Sequence, residues 1–344
     1  FMGVLGIIFA PQFLGLLGAE PQVIREGTTF TRIMLGGNIV VVFVFLLNAI
    51  FRGAGDAAIA MRVLWLANIL NCILDPLFIF GIWIFPELGV TGAAVATLIG
   101  RGIGVLYACH MLFFGEKRFR IRKEHWQFQA ERFRKLINLS WVAVLQYLIA
   151  TASWIGLMRV VAGFGSQAVA GYTIGIRIII FALLPSVGLA NAAATLVGQN
   201  LGAEQPERAE KSVWRAAVYN GVTQTSIGIL FVIFAAPIAG IFTNDPVVLG
   251  YATDALRIIS YGFLFYAVGM VLETSFNGAG DTWTPTYLNF FVFWAFEIPL
   301  AYVLAYRFGF EAHGVFWAIT IAFSMLAVAS ALLFKRGKWK LKEV

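Results

Sequence analysis

The hexapeptide FRGAGD at residues 51–56 recurs with a single change as FNGAGD at residues 276–281, an offset of 225 residues. The same offset sets Pro21 against Pro246, Arg32 against Arg257, Gly37 against Gly262 and Asn48 against Glu273. Past the second hexapeptide it shortens slightly, with Pro76 opposite Pro299 and Gly92 opposite Gly314, as unequal loops produce. Self-similarity held over so many landmarks marks a duplicated architecture.

The sequence between those landmarks is apolar. Of the 344 residues, 60% are hydrophobic and 12% charged, against about 25% charged in an ordinary soluble domain. A bilayer-crossing helix needs roughly 20 mostly apolar residues. Such windows fall near 1–17, 28–51, 60–84, 90–114, 137–161, 168–197, 213–242, 251–276, 286–306 and 313–334. The reading is an all-α polytopic membrane protein with ten transmembrane helices.

The second copy of the repeat has two helices, 137–161 and 168–197, ahead of the matched region, and the first copy has no counterpart for them. The expectation is therefore a twelve-helix protein whose first two helices lie outside this sequence. It is built as two pseudo-symmetric lobes of six. Six is even, so both lobes insert with the same orientation, a parallel repeat of the kind found among secondary transporters. Residues 1–114 would hold the last four helices of the N-terminal lobe and 115–136 the inter-lobe linker. Residues 137–334 would be the C-terminal lobe and 335–344 a basic tail.

The net charge of +7 does not point to nucleic acid, because 13 of the 25 Lys and Arg residues lie in two helix-flanking segments, 115–135 and 335–342. Basic residues flanking membrane helices mark the cytoplasmic side. The linker and the C-terminus then face the cytoplasm, with the chain in the plasma (inner) membrane. Alternation puts Arg52, Arg62, Arg208, Lys211 and Arg215 on that side too, and leaves the opposite turns poor in basic residues. Cys72 and Cys109 fall in expected spans with neither disulfide nor zinc spacing. The start of the sequence has no basic n-region and no small-residue cleavage site, so no cleavable signal is read there. His110, His125 and His313 form no metal-binding spacing and no nucleophile stands beside a base, which disfavours an enzyme.

Several motifs together resemble one family. FRGAGD is followed by NCILDPLFIFG (71–81) and LGVTGAAVAT (88–97), then by LVGQNLGAEQPERAEKS (196–212) and FNGAGDTWTP (276–285). In this order they resemble the multidrug and toxic compound extrusion (MATE) transporters. The resemblance implies twelve helices in two lobes around a central cavity. It also implies an ion-site aspartate on a first helix, which this sequence does not contain, so the chain by itself is not expected to transport.

Asp75 is the residue that most needs explaining, since a carboxylate at the centre of a bilayer costs roughly 2.5 to 3.5 kcal/mol on insertion scales. Asn71 is one helical turn earlier on the same face, and Pro76 withholds an amide from the helix near Cys72. At about 1.5 Å per residue, Asp75 lies roughly 12 Å below the turn near Trp83 and Thr97 roughly 9 Å below Thr91. The two can therefore meet at one depth. These are hard oxygen ligands suited to Na⁺ or to a proton on Asp75, and the resemblance implies that Asn71, Asp75 and Thr97 belong to a first-lobe cation site. The plainer alternative has Asp75 capping backbone groups freed by Pro76. The resemblance would add Asn48, although an interhelical hydrogen bond is an equally good role for it. In the second lobe Glu273 and Glu297 are candidates to receive a cation or proton, with snorkelling to the near interface the alternative for Glu273. Arg177 is a candidate partner for a buried carboxylate. GQNLGA (198–203) lacks the lysine and strand of a phosphate loop and reads as a tight turn.

The expected function is antiport, with organic, often cationic and amphipathic, compounds exported in exchange for Na⁺ or H⁺. The expected partners are small-molecule drugs and the lipid bilayer, for a monomer without cofactor. A flippase for lipid-linked precursors is the alternative, and it would favour a cavity lined by Arg101, Arg159 and Arg177.

Overall fold

A computed structural model describes residues 2–16, 21–115 and 129–341, and among them every regular element is helical. The chain divides into two compact units, Phe1–Gln127 and Phe128–Val344. The sequence reading puts the linker at 115–136. Most of that linker, 116–128, lies outside the described residues, as do the last residues of the basic tail, 342–344.

The first unit contains α1 (Met2–Leu16), α2 (Pro21–Gly36), α3 (Asn38–Gly53), α4 (Ala57–Phe80) and α5 (Val90–Phe114). The expected single span at 28–51 is two helices, α2 and α3, meeting at a 40° bend. The break is at Gly37, where a side chain would collide with Leu98 of α5. The closest packing in the unit joins α4 to α5, and small residues make it possible. A Cβ on Gly100 would stand 2.8 Å from the carbonyl oxygen of Ala67 and 3.2 Å from the amide nitrogen of Asn71; one on Gly92 would collide with the Phe78 carbonyl. Where lipid removes the hydrophobic drive between helices, such backbone contact is the main source of association.

The second unit runs through α6 (Ala130–Ala162), α7 (Ser166–Gly202), α8 (Pro206–Gly240), α9 (Pro246–Ser260) and α10 (Phe263–Gly278). Next comes one apolar span, Trp283–Arg307. It is assembled from α11 (Trp283–Asn289), a π-helical stretch Phe290–Glu297, α12 (Ile298–Tyr302) and a second π-helical stretch Val303–Arg307. Helix α13 (Glu311–Lys335) and a 3₁₀ turn, Lys338–Leu341, close the unit. The core gathers around α7 and α13, with Tyr172, Leu256, Phe263, Phe316 and Ile319 almost fully enclosed.

The repeat is visible in matching local geometry within each unit. Helices α9 and α10 bend by 59° next to Gly262, the repeat partner of Gly37. The two glycines have nearly the same backbone, φ −82° and ψ 5° at Gly37 against φ −87° and ψ −3° at Gly262. Both hexapeptides close the same turn. The amide of Asp56 donates to the Phe51 carbonyl at 2.8 Å and that of Asp281 to the Phe276 carbonyl at 2.9 Å. The turn needs a left-handed residue, supplied by Gly55 at φ 86° and Gly280 at φ 75°. Gly314 likewise lies against backbone, where a Cβ would stand 2.6 Å from the Ala305 nitrogen.

Among the described residues seven helices are long and apolar enough to cross a membrane, or up to nine if each bent pair is one span. The first expected span, 1–17, corresponds to α1, which is apolar but 15 residues long. Helices also extend beyond their apolar windows at the basic ends. Helix α6 starts at Ala130 inside the expected linker, and α8 starts at Pro206 rather than 213. A hydropathy window stops where charge begins, whereas helical hydrogen bonding continues into water.

The α4–α5 contact makes a specific expectation. Gly100→Val forces branched carbons against the Ala67 carbonyl and should cost about 1 to 3 kcal/mol, as overpacking does. Gly102→Ala, at a position with nothing within 4 Å, should be neutral. Thermal unfolding in detergent checks both, and equal midpoints for the two variants would show that the helices are not held this closely.

Candidate functional site

Helix α4 carries Asn71 and Asp75 one turn apart, and Pro76 leaves the Cys72 carbonyl without its usual i+4 donor. Asn71 Nδ2 donates to Asp75 Oδ1 at 2.9 Å and to Thr97 Oγ1 of α5 at 3.3 Å. One amide therefore ties together the carboxylate and hydroxyl of two helices. With both hydrogens engaged, Asn71 keeps its own Oδ1 as a free acceptor. The three side chains are half-buried. A carboxylate, an amide oxygen, a hydroxyl and a freed carbonyl form a hard-oxygen set of the kind that Na⁺ or a proton takes. The glycines of α5 explain the register. Gly100 lies three residues past Thr97, against the backbone of Ala67 and Asn71, and so holds Thr97 beside the amide.

Asn48 is not hydrogen-bonded to this trio. It is buried on α3 with 1% exposure, and among the described residues neither its Nδ2 nor its Oδ1 has a hydrogen-bond partner. Enclosed amides without partners are rare and costly.

The second unit places its two candidates differently. Glu273 of α10 accepts hydrogen bonds from Gln146 Nε2 of α6 at 2.9 Å and from Asn289 Nδ2 of α11 at 2.7 Å. It borders a small cavity of about 140 Å³ walled by Trp154, Tyr266, Met270, Phe293 and Phe323. The snorkelling alternative does not describe this carboxylate, which is held by amides from two other helices. Gln146 and Asn289 are partners of this candidate residue that the sequence reading missed. Each stands in a helix with other polar residues, so the sequence does not single it out. Glu297 is 2% exposed at the end of the π-helical stretch, and among the described residues no hydrogen bond or ion pair holds its carboxyl.

The expected role of Arg177 is corrected by its position. Its side chain is exposed on α7, and among the described residues it forms no ion pair. Helix α7 turns its small and apolar residues inward, including Tyr172, Gly175, Ile176 and Ile179, which leaves the arginine outside. Another carboxylate found a partner instead: Asp254 Oδ2 of α9 stands 2.9 Å from His313 Nε2 of α13. Among the described residues no cluster of three or more His, Cys, Asp or Glu side chains is placed to hold a metal ion.

A family model described as MatE matches residues 1–77 and 143–303. The chain is 27% identical over 329 residues to a probable multidrug resistance protein NorM of Thermotoga maritima, covering 94% of this chain and 70% of that protein. It is also 27% identical over 339 residues to an FAD transporter of Shewanella oneidensis, covering 97% and 74%. Among solved structures, a crystal structure of MATE in the straight conformation superposes with a TM-score of 0.90 at 24% identity. That superposition covers 99% of this chain and 76% of the other.

The Glu273 arrangement can be tested by itself. Asn289→Ala removes one of its two donors and should destabilise the protein by about 1 to 3 kcal/mol, the cost of a buried polar group left unpaired. In Glu273→Ala the same Asn289 change should cost much less. A double-mutant cycle on thermal unfolding reads the coupling, and additive effects would mean that the hydrogen bond contributes nothing.

Proposed function

The chain belongs to the MatE family, and on that premise we propose that it exports small organic compounds in exchange for an inward-moving monovalent cation, Na⁺ or H⁺. Membership places it among multi-pass membrane transporters rather than enzymes. The observation that carries the reading is the Asp75–Asn71–Thr97 cluster, an ionisable oxygen set between two membrane-length helices. Ionisable residues within membrane spans are rare and mark ion and substrate pathways, which supports this assignment.

The ion is substrate here, and Asp75 is its counter-charge. When a cation binds, Asp75 Oδ2 meets it directly, with Asn71 Oδ1, Thr97 Oγ1 and the Cys72 carbonyl as the neutral oxygens within reach of the same helices. When a proton binds, it goes to Asp75, while Asn71 keeps the carboxyl oriented. Either event cancels one negative charge in a low-dielectric wall. A charge-neutral site favours one conformation and an ionised site another, so ion and exported compound shift the same equilibrium in opposite directions.

The energetics are sufficient. Moving one positive charge outward against 100 mV costs about 2.3 kcal/mol, and one cation moving inward cancels that cost. A tenfold ion gradient then leaves about 1.4 kcal/mol, or tenfold accumulation per ion. Organic cations suit this scheme, and exposed or half-buried aromatic side chains can hold them by cation–π contact. The cytoplasmic placement of the linker and C-terminus in an inner membrane follows from the basic segments. Relatives described as multidrug resistance proteins support small-compound export over a lipid-linked precursor flippase.

Ethidium efflux from proteoliposomes holding the full-length protein tests the proposal. Asp75→Asn should abolish the component of efflux that follows an imposed Na⁺ or H⁺ gradient. Thr97→Val, which removes one neutral oxygen, should raise the half-saturating ion concentration about fivefold. Ion-driven efflux that survives unchanged in Asp75→Asn would overturn the assignment, and the response to each ion imposed alone identifies the coupling ion.

A further inference from the structure

The basic segment after α13 does more than mark the inner side of the membrane. Helix α13 ends at Lys335, so the residues that follow lie where its apolar run meets water. There the chain folds back. Trp339 inserts into the unit with 1% exposure, its ring centroid 4.5 Å from that of Phe334, and its indole nitrogen donates to the Phe334 carbonyl at 2.9 Å. Next to it Lys340 Nζ is clamped by two carboxylates of α8, Glu207 at 2.9 Å and Glu210 at 2.6 Å. The turn is thus a built feature, fixed on one side by an aromatic anchor and on the other by an ion-pair network.

That fixation leaves two cations over. Arg336 and Lys338 are exposed and form no ion pair among the described residues. Both line a cleft of about 370 Å³ between the turn, α13 and the start of the span that begins at Trp283. The opposite wall is amphipathic and faces outward. Tyr287 is 56% exposed and Phe291 60% exposed, and Trp283 stacks on Tyr287 at 5.4 Å. Among the described residues that line the cleft, Asp281 carries the carboxylate, and it accepts from Thr284 Oγ1 at 2.7 Å. The cleft therefore offers unpaired positive charge at the water end, with tyrosine and phenylalanine leading toward the apolar surface.

We propose that this cleft binds the headgroup of an anionic phospholipid, with Arg336 and Lys338 on the phosphate and the acyl chains lying along Tyr287 and Phe291. Both halves of the cleft are used only by an amphiphile. A free anion would have no need of the exposed aromatic wall, and a neutral lipid none of the two unpaired cations. Aromatic side chains at the headgroup level and basic pockets at helix ends are the general means by which membrane proteins hold such lipids. The volume suits a phosphoglycerol headgroup and excludes a whole lipid, whose chains stay outside.

The test uses the full-length protein in nanodiscs of phosphatidylcholine with graded phosphatidylglycerol, with bound lipid read by native mass spectrometry. Phosphatidylglycerol should be retained in preference to phosphatidylcholine. Each cation near a lipid surface is worth about a factor of five, so the pair Arg336→Gln and Lys338→Gln should weaken retention roughly twenty-five-fold. The charge-keeping pair Arg336→Lys and Lys338→Arg should retain the lipid. Arg132→Gln, a basic residue of α6 outside the cleft, should behave as wild type. Equal retention in the charge-removed pair would overturn the proposal, as would inorganic phosphate displacing the lipid at comparable concentration, which would make this a free-anion site. If the charge-removed pair unfolds in phosphatidylcholine, Phe291→Asp carries the test: it should weaken retention while leaving both cations in place, and unchanged retention would again overturn the acyl-chain placement.

Discussion

The backbone-to-backbone contact of α4 and α5 is the constraint on which the first unit's chemistry depends. Gly92 and Gly100 remove the side chains that would hold the helices apart. At ordinary interhelical distances the Asn71 amide could not reach both a carboxylate on its own helix and a hydroxyl on the next. In lipid, where apolar surface gains little by meeting apolar surface, close packing and hydrogen bonding do this work together. The glycines bring the helices close enough for the hydrogen bonds to form. Those bonds in turn give a membrane carboxylate the partner it requires.

The second unit repeats the frame but uses it for different chemistry. The backbone at Gly37 and Gly262 and the turns closed by Asp56 and Asp281 match closely, and Gly92 and Gly314 both lie against backbone, although the helices beside Gly37 and Gly262 bend by 40° and 59°. Yet the position of Asn48, which has no hydrogen-bond partner among the described residues, is taken in the second copy by Glu273, held by amides from α6 and α11. Duplication preserves the residues that let the backbone bend and approach, because any side chain at Gly92 or Gly314 would collide with backbone. Polar residues are under no such steric requirement and are free to diverge. The π-helical stretch ahead of Glu297 has no counterpart in α4, which stays α-helical through Pro76. Such bulges cluster at functional sites.

Charge is managed separately at the ends of the helices. The segment after α13 divides its cations between structure and surface. Lys340 is neutralised by Glu207 and Glu210 and fastens the turn, while Arg336 and Lys338 form no ion pair among the described residues and line an aromatic cleft. A topological signal in the sequence thus becomes a shaped surface.

Much of this was legible without coordinates. Composition and hydropathy determined an all-helical membrane protein, since the cost of leaving backbone groups unpaired in lipid permits little else. The fixed offset of the two hexapeptides located the turns and paired Gly37 with Gly262, but the bends beside those glycines were not legible, since 28–51 and 251–276 each read as a single apolar span. The i, i+4 spacing of Asn71 and Asp75 and the depth of Thr97 followed from helical rise alone. Tertiary structure decided what lies on separate helices with no regular spacing between them. Gln146 and Asn289 reach Glu273 from segments 127 and 16 residues away, and nothing local marks them. Arg177 faces outward because of how α7 packs, and the turn after α13 folds back because Trp339 finds a cavity beside Phe334. A sequence specifies the faces of each helix directly, whereas which faces meet is a property of the packed whole.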